Sequence, residues 1–161
     1  MKKILYLHGL ESNQGGRKVD YLADNCYVHA PEMDYTRKDI FPYLIKIIED
    51  FDPDLVIGSS MGGYVAYVLG GLYHTPIIAF NPALHSRSFD PKLPNNIRKL
   101  FPVKARIILG EEDTIINPKS TIRFLSDQIS NTHPQISVEN VSGMGHRVPL
   151  DIFINKIKHE L

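Results

Sequence analysis

The sequence lacks several features that mark well-known classes of protein. It has a single cysteine, Cys26, which excludes an intrachain disulfide and favours a reducing compartment. Lysine and arginine together number 18, as do aspartate and glutamate, so the overall charge favours neither nucleic acid nor an anionic membrane as a partner. No apolar run approaches the ~20 residues of a membrane span, and Ile4–Leu7 is too short for the apolar core of a signal peptide. We therefore expect a cytoplasmic protein without a membrane span.

Two common kinds of cofactor site are also missing from the sequence. Neither the Gly-x-Gly-x-x-Gly fingerprint of dinucleotide-binding folds nor the lysine of a phosphate-binding P-loop is present. Cysteine and histidine do not cluster at the spacings that bind structural zinc. We expect a protein that uses neither a metal nor an organic cofactor.

What the sequence does contain is an alternation of short apolar runs with amphipathic ones. Most apolar runs are continuous, as is typical of strands buried on both faces of a parallel sheet. They are Ile4–His8, Cys26–His29, Leu55–Ile57, Ile77–Phe80, Arg106–Leu109 and Ile136–Val141. Between them, apolar residues recur at helical spacing in the stretches 40–51, 65–72, 122–129 and 150–161. We predict a single α/β domain over residues 1–161, with a mainly parallel sheet of about six strands and helices on both faces.

The stretch Gly58-Ser59-Ser60-Met61-Gly62 joins the third apolar run to a helical one. Gly-x-Ser-x-Gly at such a junction is the nucleophile-elbow pattern, in which the serine sits on a sharp turn and the glycines make room for the backbone. In parallel sheets the chemistry collects at the carboxyl ends of the strands, where this turn falls. Ser60 is therefore the predicted nucleophile. The alternative is a glycine-rich turn that binds a phosphate at a helix N-terminus.

Seven histidines are available as the base that a serine hydroxyl needs before it becomes a good nucleophile. His146 is the best candidate, because it follows the last apolar run on a loop that Gly143 and Gly145 leave room to bend back over the sheet. His8 is the second candidate, although its position directly before Gly9 fits a backbone role better.

Three adjacent acids, Glu111, Glu112 and Asp113, follow the fifth apolar run. One of them is expected to orient the histidine, as the carboxylate of a Ser-His-Asp triad does. Asp113 fits best, because a short side chain on a tight turn ahead of the Asn117-Pro118 helix start is easier to fix. Glu112 is the alternative.

The oxyanion that forms in acyl chemistry needs hydrogen-bond donors. In a nucleophile elbow, one donor is the backbone N–H of the residue after the serine, here Met61. The second comes from the loop after the first strand, here Leu10. Both residues would act through their backbone, so the chemistry sets no requirement on their side chains.

Taken together, these residues resemble the α/β-hydrolase superfamily, and more narrowly the small YqiA-like bacterial esterases. The resemblance runs from LYLHGLESN through GSSMGGYVA and GEEDTIINP to SGMGH, and so covers essentially the whole chain. It implies that Ser60 is the nucleophile, Asp113 the acid and His146 the base. It also implies an α/β-hydrolase fold that is trimmed, because the antiparallel hairpin that opens larger hydrolases is missing.

The segment Asn81–Ala105 is too short for the helical cap that larger hydrolases often carry after this strand, so no cap domain is expected. Its four prolines favour an ordered loop, with one helical turn near Asn95–Leu100. The segment is basic, with Asp90 as its one acid; its cations are Arg87, Lys92, Arg98, Lys99 and Lys104. A solvated basic face is the simpler interpretation, and contact with an anionic part of the substrate is the alternative.

The sequence therefore predicts a serine hydrolase that acts on a small-molecule carboxylic ester or thioester through a Ser-His-Asp triad and an acyl-enzyme. Two alternatives stay open. A non-catalytic protein-binding module can share the same fold. An acyltransferase would use the same triad to pass the acyl group to an alcohol or thiol. Neither a second partner nor an oligomeric state is predicted.

Overall fold

The computed structural model describes residues 1–95, 102, 104–129 and 135–161. Within these ranges the strands are β1 (Lys3–Leu7), β2 (Tyr27–His29), β3 (Leu55–Ser59), β4 (Ile77–Phe80), β5 (Lys104–Gly110) and β6 (Gln135–Val141). The helices are α1 (Arg17–Asn25), α2 (Ile40–Phe51), α3 (Met61–Tyr73), α4 (Pro118–Ile129) and α5 (Leu150–Ile157). None of the helices in the described ranges is long and apolar enough to reach across a bilayer.

The strands form one sheet in the order β2-β1-β3-β4-β5-β6, and every neighbouring pair is parallel. The chain adds β2 on one side of β1 and then β3 on the other, so the direction of winding reverses between β1 and β3. Their carboxyl ends lie level, since Leu7 pairs with Gly58. The predicted six-stranded parallel sheet is confirmed. The reversal leaves a crevice beyond β1 and β3, which is where ligands bind in such sheets.

Alternate residues of each central strand enter two hydrophobic layers, one on each face of the sheet. Leu5 and Val56 pack in the layer that also holds side chains of α2, α3 and α4. Tyr6 and Ile57 pack in the layer that holds side chains of α1 and α5. The helix α3 is buried along nearly its whole length, as expected for a helix that is apolar all round. Helices on both faces were predicted, and the two layers confirm them.

The two edge strands depart from the expectation of strands buried on both faces. In β2 both Tyr27 and His29 are exposed, and in β6 residues 137–140 are exposed. Each of these strands has a neighbour on one side only, so less of it is covered. The spacing of apolar residues did not predict the helix α1, because this stretch is largely polar and Leu22 is its one fully buried residue. The predicted helix start at Asn117 is present: its side-chain Oδ1 accepts a hydrogen bond from the N–H of Ser120 at 3.1 Å.

The segment that follows β4 forms no helix or strand over residues 81–95, and no cap domain occurs in the described part of the chain. Ala83 and Leu84 are buried, so the start of the segment packs on the core. The predicted helical turn near Asn95–Leu100 lies, beyond Asn95, outside the described residues.

Candidate active site

Ser60 lies on the sharp turn between β3 and α3 with an unusual backbone conformation. Its φ of 54° and ψ of −116° lie in a region that residues other than glycine rarely adopt. Neighbouring backbone holds it there: its N–H donates to the carbonyl of Phe80 at 2.9 Å. Its own carbonyl accepts from the N–H groups of Tyr64 and Ala83, at 3.1 and 3.0 Å. The hydroxyl is thereby fixed at the N-terminus of α3, where the helix dipole favours negative charge.

Gly58 and Gly62 allow this turn because backbone atoms occupy the space that a side chain would need. A Cβ on Gly58 would stand 2.2 Å from the carbonyl oxygen of Gly62. A Cβ on Gly62 would stand 2.1 Å from the carbonyl oxygen of Leu7 and 2.6 Å from that of His8. The first turn of α3 thus packs directly on the end of β1, which explains the glycines on either side of Ser60.

The side chains of Ser60, His146 and Asp113 form a continuous chain of hydrogen bonds. The Ser60 Oγ lies 3.1 Å from His146 Nε2, and the Asp113 Oδ2 lies 2.8 Å from His146 Nδ1. In the tautomer that satisfies both contacts, Nδ1–H donates to the carboxylate and Nε2 accepts from the serine hydroxyl. The structure thus brings together three residues that come from three separate loops at the carboxyl edge of the sheet.

Asp113 is the one of the three adjacent acids that reaches His146. Its side chain is buried, and its Oδ1 accepts from the N–H groups of Ile115 and Ile116 at 2.8 and 2.9 Å. These bonds fix the carboxylate and satisfy the oxygen that does not face the imidazole. Glu111 and Glu112 are exposed. Glu112, the alternative acid, has no ion pair or hydrogen bond from its side chain within the described residues.

Leu10 and Met61 both line the cleft above Ser60. Among the residues that the structure describes, neither backbone N–H donates a hydrogen bond to the protein. Met61 is the first residue of α3, so its N–H has no acceptor within the helix. Within the described residues, both N–H groups are therefore free to donate to a ligand in the cleft.

His8 braces the loop that carries Leu10. The imidazole is buried: its Nδ1 donates to the carbonyl of Gly9 at 2.7 Å, and its Nε2 accepts from the N–H of Met33 at 3.1 Å. Its carbonyl accepts a hydrogen bond from the hydroxyl of Tyr35. With both ring nitrogens engaged, His8 is unavailable to Ser60 and instead anchors the backbone, which was the favoured of its two sequence interpretations.

Asn81 is a structural link between the end of β4 and two neighbouring parts of the site. The buried amide Nδ2 donates to the carbonyls of Gly145 and His146, at 2.9 and 3.0 Å. The amide Oδ1 accepts from the buried N–H of Gly110 at 2.7 Å. One side chain thus ties the end of β4 to the end of β5 and to the loop that holds His146. An Asn-Pro directly after a buried strand is the signal that points to such a link.

A cleft of about 800 Å³ opens over Ser60. Its walls come from the loop after β1, the first turn of α1, the start of the 81–95 segment and the loop around His146. Ser60 and His146 line this cleft at the crevice that the sheet topology creates, whereas the Asp113 side chain is fully buried behind His146.

The basic residues of the 81–105 segment do not act as one group. Arg87 is engaged: it forms an ion pair with Asp90, donates to the carbonyls of Ala83 and Leu84, and stacks over Tyr64 at 3.9 Å from the ring centroid. Lys104 is the first residue of β5, so it lies at the amino ends of the strands, whereas Ser60 lies at their carboxyl ends. Lys92 is exposed, and Arg98 and Lys99 lie outside the described residues. Arg87 therefore holds the segment in place.

The sequence profile of UPF0227, described as an uncharacterised protein family, matches residues 3–106, which is more than half of the chain. The matched part includes Ser60, whereas Asp113 and His146 follow it.

Solved structures of hydrolases share the fold over nearly the full length of the chain. A candidate hydrolase of the α/β superfamily from Xanthomonas campestris pv. campestris matches over 100% of both chains, with a TM-score of 0.68 and 18% identity. A monoacylglycerol lipase from Paleococcus ferrophilus matches over 98% of this chain and 93% of its own, with a TM-score of 0.71 and 15% identity. An α/β serine hydrolase without a lid, also from Xanthomonas campestris, matches over 98% and 82%, with a TM-score of 0.58 and 13% identity. The chain has the α/β-hydrolase fold.

Replacing Gly62 with alanine is expected to destabilise the protein. The new methyl group would collide with two backbone carbonyls that cannot move without displacing β1, so we expect a loss of about 1–3 kcal/mol or more. The measurement is the urea midpoint. Gly15→Ala is the control, since its nearest atom outside the adjoining residues is 3.8 Å away. Equal midpoints for the two variants would contradict the close packing of α3 on β1.

Replacing Asn81 with alanine is expected to lower the free energy of unfolding by roughly 1–3 kcal/mol, because the buried N–H of Gly110 loses its acceptor. The positive φ of 43° adds strain for alanine. Asn25→Ala is the control: that asparagine is exposed and donates one hydrogen bond to Tyr21 in its own helix, so a change within about 0.5 kcal/mol is expected. Denaturant unfolding of both variants measures the difference, and a stability for Asn81→Ala equal to that of the control would show that the link is not needed.

Proposed function

Because this chain belongs to the UPF0227 family and has the α/β-hydrolase fold, we propose that it is a serine hydrolase that cleaves carboxylic esters or thioesters through an acyl-enzyme. The observation that carries the proposal is the hydrogen-bonded chain from the Ser60 hydroxyl through the His146 imidazole to the Asp113 carboxylate. In this proposal Ser60 is the nucleophile, His146 the general base and acid, and Asp113 the group that orients it.

The acylation step uses the contacts of the site as they stand. The Ser60 Oγ attacks the carbonyl carbon of the ester while His146 Nε2, 3.1 Å away, accepts its proton. Asp113 keeps the Nδ1–H tautomer in place and stabilises the imidazolium that forms. The oxygen of the tetrahedral intermediate accepts hydrogen bonds from the N–H groups of Leu10 and Met61.

Collapse of the intermediate then breaks the bond to the leaving group. The imidazolium of His146 returns its proton to the departing alcohol or thiol, which leaves the acyl group esterified to Ser60. Water enters the open cleft, His146 removes its proton, and attack on the acyl carbon releases the carboxylic acid and regenerates the hydroxyl. Each proton that His146 takes up is passed on within the same cycle.

The connection between β4 and β5, residues 81–103, is short, which favours small, accessible substrates. No cap domain covers the cleft in the described part of the chain, and the structural relatives include a serine hydrolase without a lid and a lipase that acts on monoacylglycerol. An open site of this kind fits short acyl groups better than long ones that need an enclosed apolar tunnel. We propose short-chain esters and thioesters as the substrate class.

Treatment with a fluorophosphonate probe, followed by intact mass measurement, tests the proposal. One adduct is expected on the native chain and none on Ser60→Ala, because the probe reacts with a serine whose hydroxyl is activated by a base. The adjacent Ser59→Ala variant is the matched control and is expected to keep the adduct. An unlabelled native protein that is folded, or a label retained by Ser60→Ala, would refute the proposal.

A further inference from the structure

The cleft carries more positive charge than the chain as a whole. The chain is balanced, with 18 basic and 18 acidic side chains. The lining of the cleft contains four cations and one carboxylate, Glu11; the cations are Arg17, Lys18, Arg87 and Arg147. A wall of one sign in a neutral protein raises the local concentration of ligands of the opposite sign.

Three of these cations have no acidic partner among the described residues. Arg87 is paired with Asp90, but within the ranges that the structure describes no ion pair joins Arg17, Lys18 or Arg147 to a carboxylate. Arg17 and Arg147 are exposed and so are well solvated, whereas Lys18 is half-buried. Of these three cations, Lys18 has lost the most hydration, so an anionic ligand would stabilise it the most.

Lys18 is placed by the first turn of α1 and by packing on α5. Its Nζ lies over the ring of Phe153, 5.5 Å from the ring centroid, and the residue lines the cleft. Burial lowers the pKa of Lys18, because removal from water disfavours the charged ammonium group.

Tyr6 supplies a second donor in the same part of the cleft. Its ring packs edge-on against Phe153 at 6.0 Å between centroids, and the residue is only 6% exposed, yet it lines the cleft. The hydroxyl has no hydrogen-bond partner among the described residues, and it is not fully buried. Burial raises the pKa of Tyr6 to about 12, so the hydroxyl stays protonated and can donate.

We propose that Lys18 and Tyr6 form a subsite that binds an anionic group, a carboxylate or a phosphate, carried by the substrate of this cleft. The ammonium supplies the charge and the hydroxyl a directed hydrogen bond. Both are held against the Phe153 ring, so they are arranged before the ligand arrives. This inference rests on the proposed ester or thioester hydrolysis, and it makes the enzyme selective for charged substrates over neutral ones of equal length.

Matched pairs of esters test the subsite. One pair is para-nitrophenyl valerate and the mono-para-nitrophenyl ester of glutarate, which differ in a terminal carboxylate on the acyl side. The other is monovalerylglycerol and its phosphate, which differ in a phosphate on the leaving group. The native enzyme is expected to show a higher kcat/KM for the charged member of at least one pair, and the pair that responds identifies which side of the scissile bond faces the subsite.

Lys18→Met removes the charge and keeps an unbranched apolar side chain at this position. It is expected to lower kcat/KM for the charged ester at least about tenfold, and that for the neutral partner less than about twofold. Tyr6→Phe should act in the same direction with a smaller loss, and Lys18→Arg should restore much of the preference. Lys119→Met, an exposed lysine on α4, is the control and should change neither ester. Equal losses on both members of each pair, or no preference in the native enzyme, would overturn the subsite.

Calorimetry separates a failed subsite from a failed hydrolase. Monomethyl glutarate and monovalerylglycerol phosphate are titrated into Ser60→Ala, which binds but does not turn over, and into Ser60→Ala with Lys18→Met. At least one ligand is expected to bind the first variant and to lose at least about tenfold in affinity in the second. Binding that is unaffected by Lys18→Met, or undetectable with both ligands, counts against the subsite. Absent turnover of all four esters by the native enzyme counts against the hydrolase.

Discussion

The position of the Ser60 hydroxyl depends on backbone packing at the end of β1. The first turn of α3 lies so close to the carbonyls of Leu7 and His8 that no side chain fits at Gly62. No side chain fits at Gly58 either, because the carbonyl of Gly62 occupies that space. Ser60 is held at a positive φ by hydrogen bonds to the backbone on either side of it. Main-chain packing therefore decides where Ser60 stands relative to the sheet.

The other parts of the site are fixed by short buried polar side chains that link separate loops. His8 uses both ring nitrogens to hold the loop that presents Leu10, and Asn81 uses both ends of its amide to hold the His146 loop against β5. One carboxylate oxygen of Asp113 accepts hydrogen bonds from backbone N–H groups of its own turn, and the other accepts one from His146. Buried polar groups that are fully paired specify one arrangement, because any other leaves a partner unsatisfied. The site is thus arranged in advance although the cleft above it is open.

The central sheet and the neighbourhood of Ser60 could be predicted from the sequence because they follow from local patterns. Continuous apolar runs indicated the parallel strands, and the Gly-x-Ser-x-Gly spacing indicated the turn. The helix α1 escaped notice because it buries little apolar surface, and with it the position of Lys18 in the cleft. The hydrogen bonds of Asn81 and the position of Tyr6 in the wall of the cleft could not be predicted either, since both depend on which parts of the chain meet in space. The choice between Asp113 and Glu112 depends on the direction in which each side chain points. The backbone conformation of the turn that carries them sets that direction.

Partition of a shared acyl group tests the acyl-enzyme most directly. Two esters with the same acyl group and different leaving groups are hydrolysed in water that contains methanol, and the ratio of acid to methyl ester is measured for each. If Ser60 carries the acyl group, both esters pass through the same intermediate, so the two ratios must be equal. A ratio that changes with the leaving group would mean that water and methanol attack the ester itself, and the account of Ser60 as a covalent nucleophile would be wrong.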